Sequence, residues 1–325
     1  MADRQTTGAA HIAALCCEHG LHVTPQELVL IVAGASGRLV MRVCPAGVPC
    51  GIIGIYWTPE RADNQSFVEA ASGLRQCGVP VPHLLRYRTL PGGCGVCLVQ
   101  DLGNRDLLSL KNAVAPVRLA AYRSALQGMH ALHSASVSWP LQPPFDADLY
   151  RWEQSYFAEH FLGHHLGGGS ASTAYLTLAA PVAEWLGTLP RVPVHRDFQS
   201  QNIMLYADKA YLIDFQGMRM GRAEYDLASL VLDPYMALPE HEVQALLAHY
   251  TAISGMPLDA DVFAACALQR LMQALGAFAN IGYNQKRDWY LNMIEPGVRA
   301  LRYAAASVRA ESPAYSLAQW LLNLA

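Results

Sequence analysis

Two carboxylates and one amide between His195 and Asp214 have the types and order that phosphoryl transfer requires. A His-Arg-Asp tripeptide ends at Asp197, Asn202 follows five residues later, and Asp214 follows after another twelve. A carboxylate beside an attacking hydroxyl can orient it and accept its proton, which suits Asp197. An amide oxygen and a second carboxylate can hold Mg²⁺ against nucleotide phosphates, which suits Asn202 and Asp214.

The residues between these groups predict how they are brought together. The apolar runs Asn202–Leu205 and Tyr211–Ile213 flank a turn-forming stretch, Ala207–Ala210. This pattern predicts two short antiparallel strands, which would bring Asn202 near Asp214. Either aspartate alone would be an ordinary loop carboxylate, and it is their order and spacing that favours catalysis.

A glycine-bearing stretch near the N-terminus predicts contact with phosphates. Gly34, Ser36, Gly37 and Arg38 lie between two predicted strands. Glycine allows backbone amides to approach phosphate oxygens closely, and the serine hydroxyl can add a donor. A glycine turn is also common in hairpins without any ligand. Arg38 and Arg42 could add positive charge, although Arg42 also fits a solvated strand position.

Strand patterns dominate the first hundred residues, and helix patterns dominate the rest. We expect strands at Leu28–Val32, Leu39–Cys44, Gly51–Tyr56 and Val96–Gln100, and one helix at Arg61–Cys77. Periodic apolar residues then predict long helices at Pro116–Ser134, Asp146–Leu162, Thr173–Leu186, Pro239–Ile253, Ala260–Asn280 and Asp288–Ser307. We therefore expect an α+β, bilobal fold with a nucleotide-binding lobe over residues 1–101, a helical lobe over residues 102–325 and a ligand cleft between them.

The composition is that of a globular protein with a large core. Of 325 residues, 52% are hydrophobic and 15% charged, and the net charge of −3 gives no reason to expect a nucleic-acid partner. The apolar window Ala260–Ala279 contains charged and polar residues, which favours a buried helix over a membrane span. The N-terminus lacks a secretory pattern, so we expect a cytoplasmic protein whose eight cysteines are free thiols.

The motifs around Asp197 and Asp214 resemble those of the aminoglycoside-phosphotransferase and choline-kinase-like family of the protein-kinase-like fold. His-Arg-Asp-Phe-Gln-Ser-x-Asn and Asp-Phe-Gln are similar to the anomeric sugar kinases of that family. The antibiotic kinases tend to carry His-Gly-Asp and Asp-Phe-Asp or Asp-Phe-Gly instead. The resemblance spans about Gly34–Leu301 and implies ATP and Mg²⁺ as cofactors. It also implies a small-molecule acceptor, the C1 hydroxyl of N-acetylmuramate or N-acetylglucosamine.

The same resemblance implies roles for residues outside the motifs. Gln100, Asp101 and Leu102 look like the interlobe hinge, whose backbone groups would bind the adenine edge. His195 and Asp226 would be structural. Asp226 suits the cap of a helix that starts there, and by resemblance it would brace the catalytic loop.

One feature departs from the kinase pattern. Kinases of this fold carry a lysine on the third strand, paired with a glutamate on the next helix. The strand Gly51–Tyr56 has no lysine, and on the helix Phe67 fits the expected position as well as Glu69 does. Either Arg38 or Arg42 compensates, or the chain is a weak or inactive kinase.

Candidates for the acceptor site come from the helical lobe and the catalytic loop. Glu153, on a helix that resembles one in the sugar kinases, could accept a hydrogen bond from a sugar hydroxyl or could be a solvated helix charge. Arg196 and Gln199 flank Asp197 closely enough in sequence to reach the acceptor. Arg270 also matches the family, but it could instead pair with a structural carboxylate.

Two alternatives stay open at this point. The acceptor could be another small alcohol, such as an aminoglycoside, choline, homoserine or thiamine. Cationic acceptors usually need an acidic pocket, and the sequence offers no dense acidic cluster. The chain could also be a pseudokinase that binds nucleotide without catalysis, which the missing lysine favours and the complete set of Asp197, Asn202 and Asp214 opposes.

Overall fold

An antiparallel sheet forms most of the first hundred residues. The structure, a computed structural model, describes residues 2–33 and 38–324, so the predicted phosphate contacts Gly34, Ser36 and Gly37 lie outside the described residues. Helix α1 (Ala2–Glu18) precedes strands β1 (Leu28–Ala33), β2 (Arg38–Val43), β3 (Ile52–Trp57), β4 (Leu84–Thr89) and β5 (Gly95–Gln100), with α2 (Phe67–Gln76) between β3 and β4. The strand order is β1-β2-β3-β5-β4, and every pair is antiparallel.

The sheet is covered on both faces, and β3 shows how. All six of its residues are buried, which explains its nearly continuous apolar sequence. Successive side chains point to opposite faces, so Ile52 and Tyr56 pack with α1 while Ile53 and Ile55 pack in the main core of the molecule. A Cβ on Gly54 would lie 2.3 Å from Ile12 of α1, so only glycine allows this close approach.

The helical lobe contains the larger core. Its helices are α3 (Ala115–His133), α4 (Ala147–Phe157), α5 (Gly169–Thr188), α6 (Ala223–Val231), α7 (Glu240–Ser254), α8 (Ala260–Ala279), α9 (Ile294–Ala306) and α10 (Tyr315–Leu322). α8 lies at the centre and packs against α4, α6 and α9. Its apolar stretch could cross a membrane by length and composition alone, but 89% of that window is buried inside the protein, so the expected core helix is confirmed.

Two small two-stranded ladders carry the predicted catalytic segment. β6 (Val192–Val194) pairs with β9 (Arg219–Gly221), and β7 (Ile203–Tyr206) pairs with β8 (Lys209–Leu212). The turn between β7 and β8 is the pair Ala207 and Asp208, both with positive φ, as tight hairpins require. The predicted hairpin is therefore confirmed, with a shorter turn than the four residues expected.

The element predictions were correct where the apolar pattern was long or clearly alternating. All four predicted strands of the sheet and all the long helices are present, and the α+β class is confirmed. Helices α1 and α10 and the edge strand β4 were missed. The predicted helix at residues 61–77 forms only over α2, and those at Asp146–Leu162 and Ala260–Asn280 continue into wider π-helical turns at Ala158–His165 and Asn280–Asn284.

Helix α2 is tied to the helical lobe by a close contact. A Cβ on Gly73 would lie 2.0 Å from the ring of Trp139, which is itself buried. The buried face of α2, including Phe67 and Leu74, belongs to the same core as α3 and α8. Only a residue without a side chain lets these two segments pack so closely.

Candidate active site

The catalytic loop is fixed from below by the buried carboxylate of Asp226. Its two oxygens accept from the backbone amides of His195, at 2.7 Å, and Arg196, at 2.8 Å, and the ring of His133 lies 3.2 Å away. Asp226 is fully buried and lies inside α6, whose N-terminal cap is Arg222. The helix-cap interpretation of Asp226 is therefore wrong, and its contacts are those of a loop brace.

Two further contacts hold the loop in place. His195 is buried, and its Nε2 donates to the carbonyl of Ile213 at 2.9 Å, which joins the loop to the strand before Asp214. The buried carboxylate of Asp233 accepts from the amides of Ser200 at 2.8 Å and Tyr235 at 2.9 Å. Asp233 was missed from the sequence, because an aspartate before a proline is typical of ordinary turns.

Asp197 remains accessible at the top of this loop. Its side chain is 41% exposed, and an oxygen lies 3.7 Å from the guanidinium of Arg270. Burial raises its pKa, but the surrounding cations, led by Arg196 and Arg270, outweigh burial and hold the pKa below its ordinary value. Asp197 is therefore an ionised, partly exposed carboxylate, as a base at a substrate site should be.

Asn202 and Asp214 are brought together by the β7–β8 hairpin. The amide of Ile213 donates to the carbonyl of Asn202 at 3.0 Å, so the residue before Asp214 pairs directly with Asn202. The Nδ2 of Asn202 donates to the carbonyl of Asp197 at 2.9 Å, which leaves Oδ1 as the side-chain atom able to bind a cation. Asp214 adopts a left-handed conformation, with φ of 64°, at the sharp turn after β8.

These atoms fit a magnesium site. An amide oxygen and a carboxylate are hard donors of the kind Mg²⁺ prefers, and Mg²⁺ commonly takes only one or two protein ligands beside waters and phosphates. The Asp214 carboxylate is 38% exposed and already makes charge-assisted contacts, with the guanidinium of Arg38 and with Nε2 of Gln216 at 3.0 Å.

Arg38, on the small-lobe side, contacts one of the proposed metal ligands. It begins β2, its side chain is 8% exposed, and its Nη2 pairs with the Asp214 carboxylate. Its guanidinium lies over the ring of Phe67, 5.7 Å from the ring centre, and that ring stacks on Phe215 at 5.1 Å. Glu69, the other candidate on α2, is exposed.

Arg42 lies elsewhere, and its predicted role needs correction. Its guanidinium pairs with both oxygens of Asp101, at 2.6 and 3.0 Å, and also donates to Asn104 at 2.6 Å and to the carbonyl of Gly103 at 3.0 Å. These four hydrogen bonds occupy the Arg42 guanidinium and join β2 to the hinge between the lobes. These contacts do not support a role for Arg42 at the phosphates.

The hinge itself has one amide suited to adenine. The amide of Gln100 donates to His83, at 2.8 Å, and that of Asp101 to Gly51, at 2.9 Å. Within residues 2–33 and 38–324, no group accepts a hydrogen bond from the amide of Leu102. The side chains of Asp101 and Leu102 are largely buried, so contact with a nucleotide would come from the backbone.

Glu153 is not on the surface of the acceptor site. Its side chain is fully buried, accepts from the hydroxyl of Tyr225 at 3.0 Å and from Gln269 at 3.2 Å, and has its pKa raised by burial, against the opposing charge of Arg196. Direct contact with a sugar hydroxyl would require this network to open. The contacts favour a positioning role beneath the catalytic loop.

Arg270, Gln199 and Asp197 do come together. Arg270 is buried and donates to Gln199 at 3.3 Å and to Ser229 at 3.0 Å, besides facing Asp197. Arg219, which no sequence pattern indicated, adds a third cation near Asp197 and Arg196, stacked over Phe145. An isolated arginine on a three-residue strand gave no signal of this.

Solved structures define the class of this fold. The choline/ethanolamine kinase family protein from Mesorhizobium loti superimposes with a TM-score of 0.62 at 14% identity, covering 98% of each chain. The aminoglycoside phosphotransferase APH(3'')-Id from Streptomyces rimosus, in complex with ADP and streptomycin, gives a TM-score of 0.54 at 16% identity, covering 74% of this chain and 94% of that one. The expected bilobal, protein-kinase-like fold is confirmed.

The sequence comparisons narrow the class to a family. The model described as the phosphotransferase enzyme family matches residues 27–261, most of the chain, and the protein belongs to this family. The N-acetylmuramate/N-acetylglucosamine kinase of Pseudomonas aeruginosa is 29% identical over 296 residues, which cover 87% of this chain and 85% of that enzyme. The predicted family and the enzyme class, a phosphotransferase, are confirmed.

Proposed function

We propose that the protein is an ATP-dependent sugar kinase that transfers the γ-phosphate to the anomeric C1 hydroxyl of an N-acetylated hexosamine. The observation that carries the proposal is the assembly of Asp197, Asn202 and Asp214 by one braced loop and one hairpin. The name of the Pseudomonas aeruginosa relative supports the sugar as acceptor. The location we propose is the cytoplasm, where ATP is available.

Asp197 is the catalytic base in this proposal. Its accessible carboxylate accepts a hydrogen bond from the acceptor hydroxyl and orients the oxygen toward the γ-phosphorus. As the new bond between this oxygen and the γ-phosphorus forms, the bond from the γ-phosphorus to the β,γ-bridging oxygen breaks, ADP leaves and Asp197 takes the hydroxyl proton. The bonds from Asp226 to the amides of His195 and Arg196 keep that carboxylate in position. Positioning of this kind accounts for much of the rate enhancement in phosphoryl transfer.

Asn202 Oδ1 and the Asp214 carboxylate would hold Mg²⁺, which when bound neutralises phosphate charge.

On the nucleotide side, the Leu102 amide would bind adenine, between Gln100 and Gly103 at the hinge. The predicted loop of Gly34, Ser36 and Gly37 would cover the phosphates. Nothing in the described structure bears on that loop.

The charges around Asp197 support a neutral or anionic acceptor over a cationic one. Arg196, Arg270 and Arg219 all act on its pKa. An aminoglycoside or choline would bring positive charge next to these arginines, at a cost in electrostatic energy. A sugar hydroxyl has no such cost, and Gln199 and Arg270 offer it hydrogen-bonding groups beside the base.

The test is a screen of ADP release with N-acetylglucosamine, N-acetylmuramate, other free hexoses, choline, homoserine, thiamine and an aminoglycoside. We expect turnover of the N-acetylated hexosamines only. Phosphorylation at C1 prevents the sugar ring from opening, so the reducing power of the sugar should disappear in step with ADP release.

Three other outcomes would each count against the proposal. ADP release with retained reducing power would place the phosphate on a different hydroxyl. Turnover of an amino alcohol in place of the sugars would change the acceptor. Nucleotide binding without turnover of any acceptor would support the pseudokinase alternative.

A further inference from the structure

The phosphate side of the cleft lacks the usual lysine, and the structure shows what stands near its place. β3 carries no lysine, and α2 presents an aromatic ring, Phe67, where an acidic partner is expected. Arg38 lies on the neighbouring strand β2, in register opposite Trp57 at the end of β3. The cation near this place is thus on β2, and its guanidinium lies over the ring of Phe67 on α2.

Phe67 holds the guanidinium without neutralising it. A cation over an aromatic face is attracted by the ring quadrupole, which keeps the full positive charge available to another anion. The ring is fixed in turn, because Phe67 is 5% exposed and stacks on Phe215 with an angle of 14° between the planes. Phe215 is the residue after Asp214, so the ring system and the carboxylate belong to one local structure.

The Asp214 carboxylate pairs with this guanidinium. The same carboxylate is the proposed ligand of Mg²⁺, and a metal ion bound there would bring phosphate oxygens next to the guanidinium. Arginine offers several donors in a planar fork that matches phosphate oxygens. Arg42 cannot share this task, because its donors are committed to Asp101, Asn104 and Gly103.

We propose that Arg38, seated on the ring of Phe67, is the phosphate clamp of this enzyme and exchanges Asp214 for the terminal phosphates of a nucleoside triphosphate when Mg²⁺ binds. Arg38 is the catalytic residue of the pair, because it would touch the transferred group. Phe67 is a positioning residue. This inference rests on the proposed ATP-dependent function and extends it to the means of phosphate recognition.

The experiment measures nucleotide binding without any acceptor, by calorimetry on the full chain, for adenosine, for ADP and for a non-hydrolysable ATP analogue, each with Mg²⁺. In the Arg38→Ala variant we expect the affinity for the ATP analogue to fall about 100-fold, the affinity for ADP to fall less, and the affinity for adenosine to stay within twofold. Arg38→Lys retains the charge but loses the fork, so an intermediate loss is expected.

Phe67→Leu tests the ring while keeping an apolar side chain of similar size. We expect a loss of about two- to fivefold for the ATP analogue and none for adenosine. The control is Arg86→Ala. Arg86 lies on the edge strand β4, which β3 and β5 separate from the β2 strand of Arg38, and it faces Glu18 at 3.6 Å. All three ligands should bind this variant as they bind the unmodified protein.

The outcomes separate this inference from the function on which it rests. If the unmodified protein binds neither ADP nor the ATP analogue, the proposed function itself is wrong. The unmodified protein could instead bind both ligands, with Arg38→Ala and Arg38→Lys binding the ATP analogue as tightly as it does. The proposed clamp would then be wrong and the proposed function would stand. Equal losses for adenosine and the ATP analogue would also overturn the clamp, because they would show a general disturbance of the site. Should Arg38→Ala fail to fold, Arg38→Lys and Phe67→Leu give the same decision.

Discussion

The proposed catalytic loop and the edge of the sheet at Arg38 differ in how strictly their proposed chemistry fixes the positions of the residues. The loop keeps a carboxylate, an amide and a second carboxylate at the expected positions, held by Asp226 and the β7–β8 hairpin. The sheet edge lacks the usual lysine, and Arg38 on another strand meets Asp214 instead. Proton transfer and metal binding require defined atoms in defined places, whereas a positive charge can reach a phosphate from several directions.

The largest effect should come from the loop. In Asp197→Asn the side chain keeps its shape but cannot accept the acceptor proton, so we expect kcat to fall about 10³-fold. ADP release with the preferred sugar measures this. Nucleotide affinity and thermal unfolding should be unchanged. A rate within tenfold of the unmodified enzyme would mean that Asp197 is not the base.

The second largest effect should come from Asp226, which holds the loop through two backbone amides. Asp226→Asn replaces a carboxylate that accepts from two backbone amides with a group that has only one acceptor oxygen. We expect the free energy of unfolding to fall by about 3 kcal/mol, because a buried donor loses a charged partner, and kcat to fall with it. Urea unfolding provides the measurement. Asp208→Asn, at an exposed left-handed turn position that asparagine tolerates, is the matched control and should change neither quantity.

Substitution of Glu153 tests whether the acceptor site reaches the buried hydrogen bonds that Glu153 makes with Tyr225 and Gln269. If the carboxylate acts only through Tyr225 and Gln269, Glu153→Gln should lower the free energy of unfolding by about 1–2 kcal/mol and leave KM for the sugar within twofold. Steady-state kinetics and urea unfolding decide the point, with Glu159→Gln at an exposed position as control. A tenfold rise in KM with unchanged stability would restore the direct contact first predicted for Glu153.

The smallest effect should lie at the start of the sheet. Glu27 accepts from the amides of Ala46 at 2.8 Å and Thr24 at 2.9 Å, and these bonds, led by that from Ala46, lower its pKa from the ordinary value of 4.5. A lowered folded-state pKa gives stability that is present above the unfolded pKa and is lost as pH falls through the folded one.

Glu27→Gln should therefore lower the melting temperature slightly at pH 7, and the difference should shrink as the pH falls below 4.5. Thermal unfolding at several pH values measures it. Glu69→Gln, exposed on α2, controls for the loss of one surface carboxylate. A constant difference at all pH values would mean that ionisation of Glu27 does not contribute.

The loop could be predicted from sequence because its chemistry restricts residue type, order and spacing together. The contacts of Arg38 and Arg42 could not, since both are arginines on one strand, four residues apart, and only packing shows that one faces Asp214 and the other the hinge. Glu153 was misplaced for a related reason. Its helical position does not reveal that Tyr225 and Gln269, distant in sequence, enclose it.

Gly73 limits how the cleft can open. With no room for a methyl group between α2 and Trp139, the helix has no space in which to slide or rotate against the helical lobe. Some kinases are switched by swinging the equivalent helix outward, which requires an interface that can separate. We expect α2 to stay with the helical lobe during the catalytic cycle.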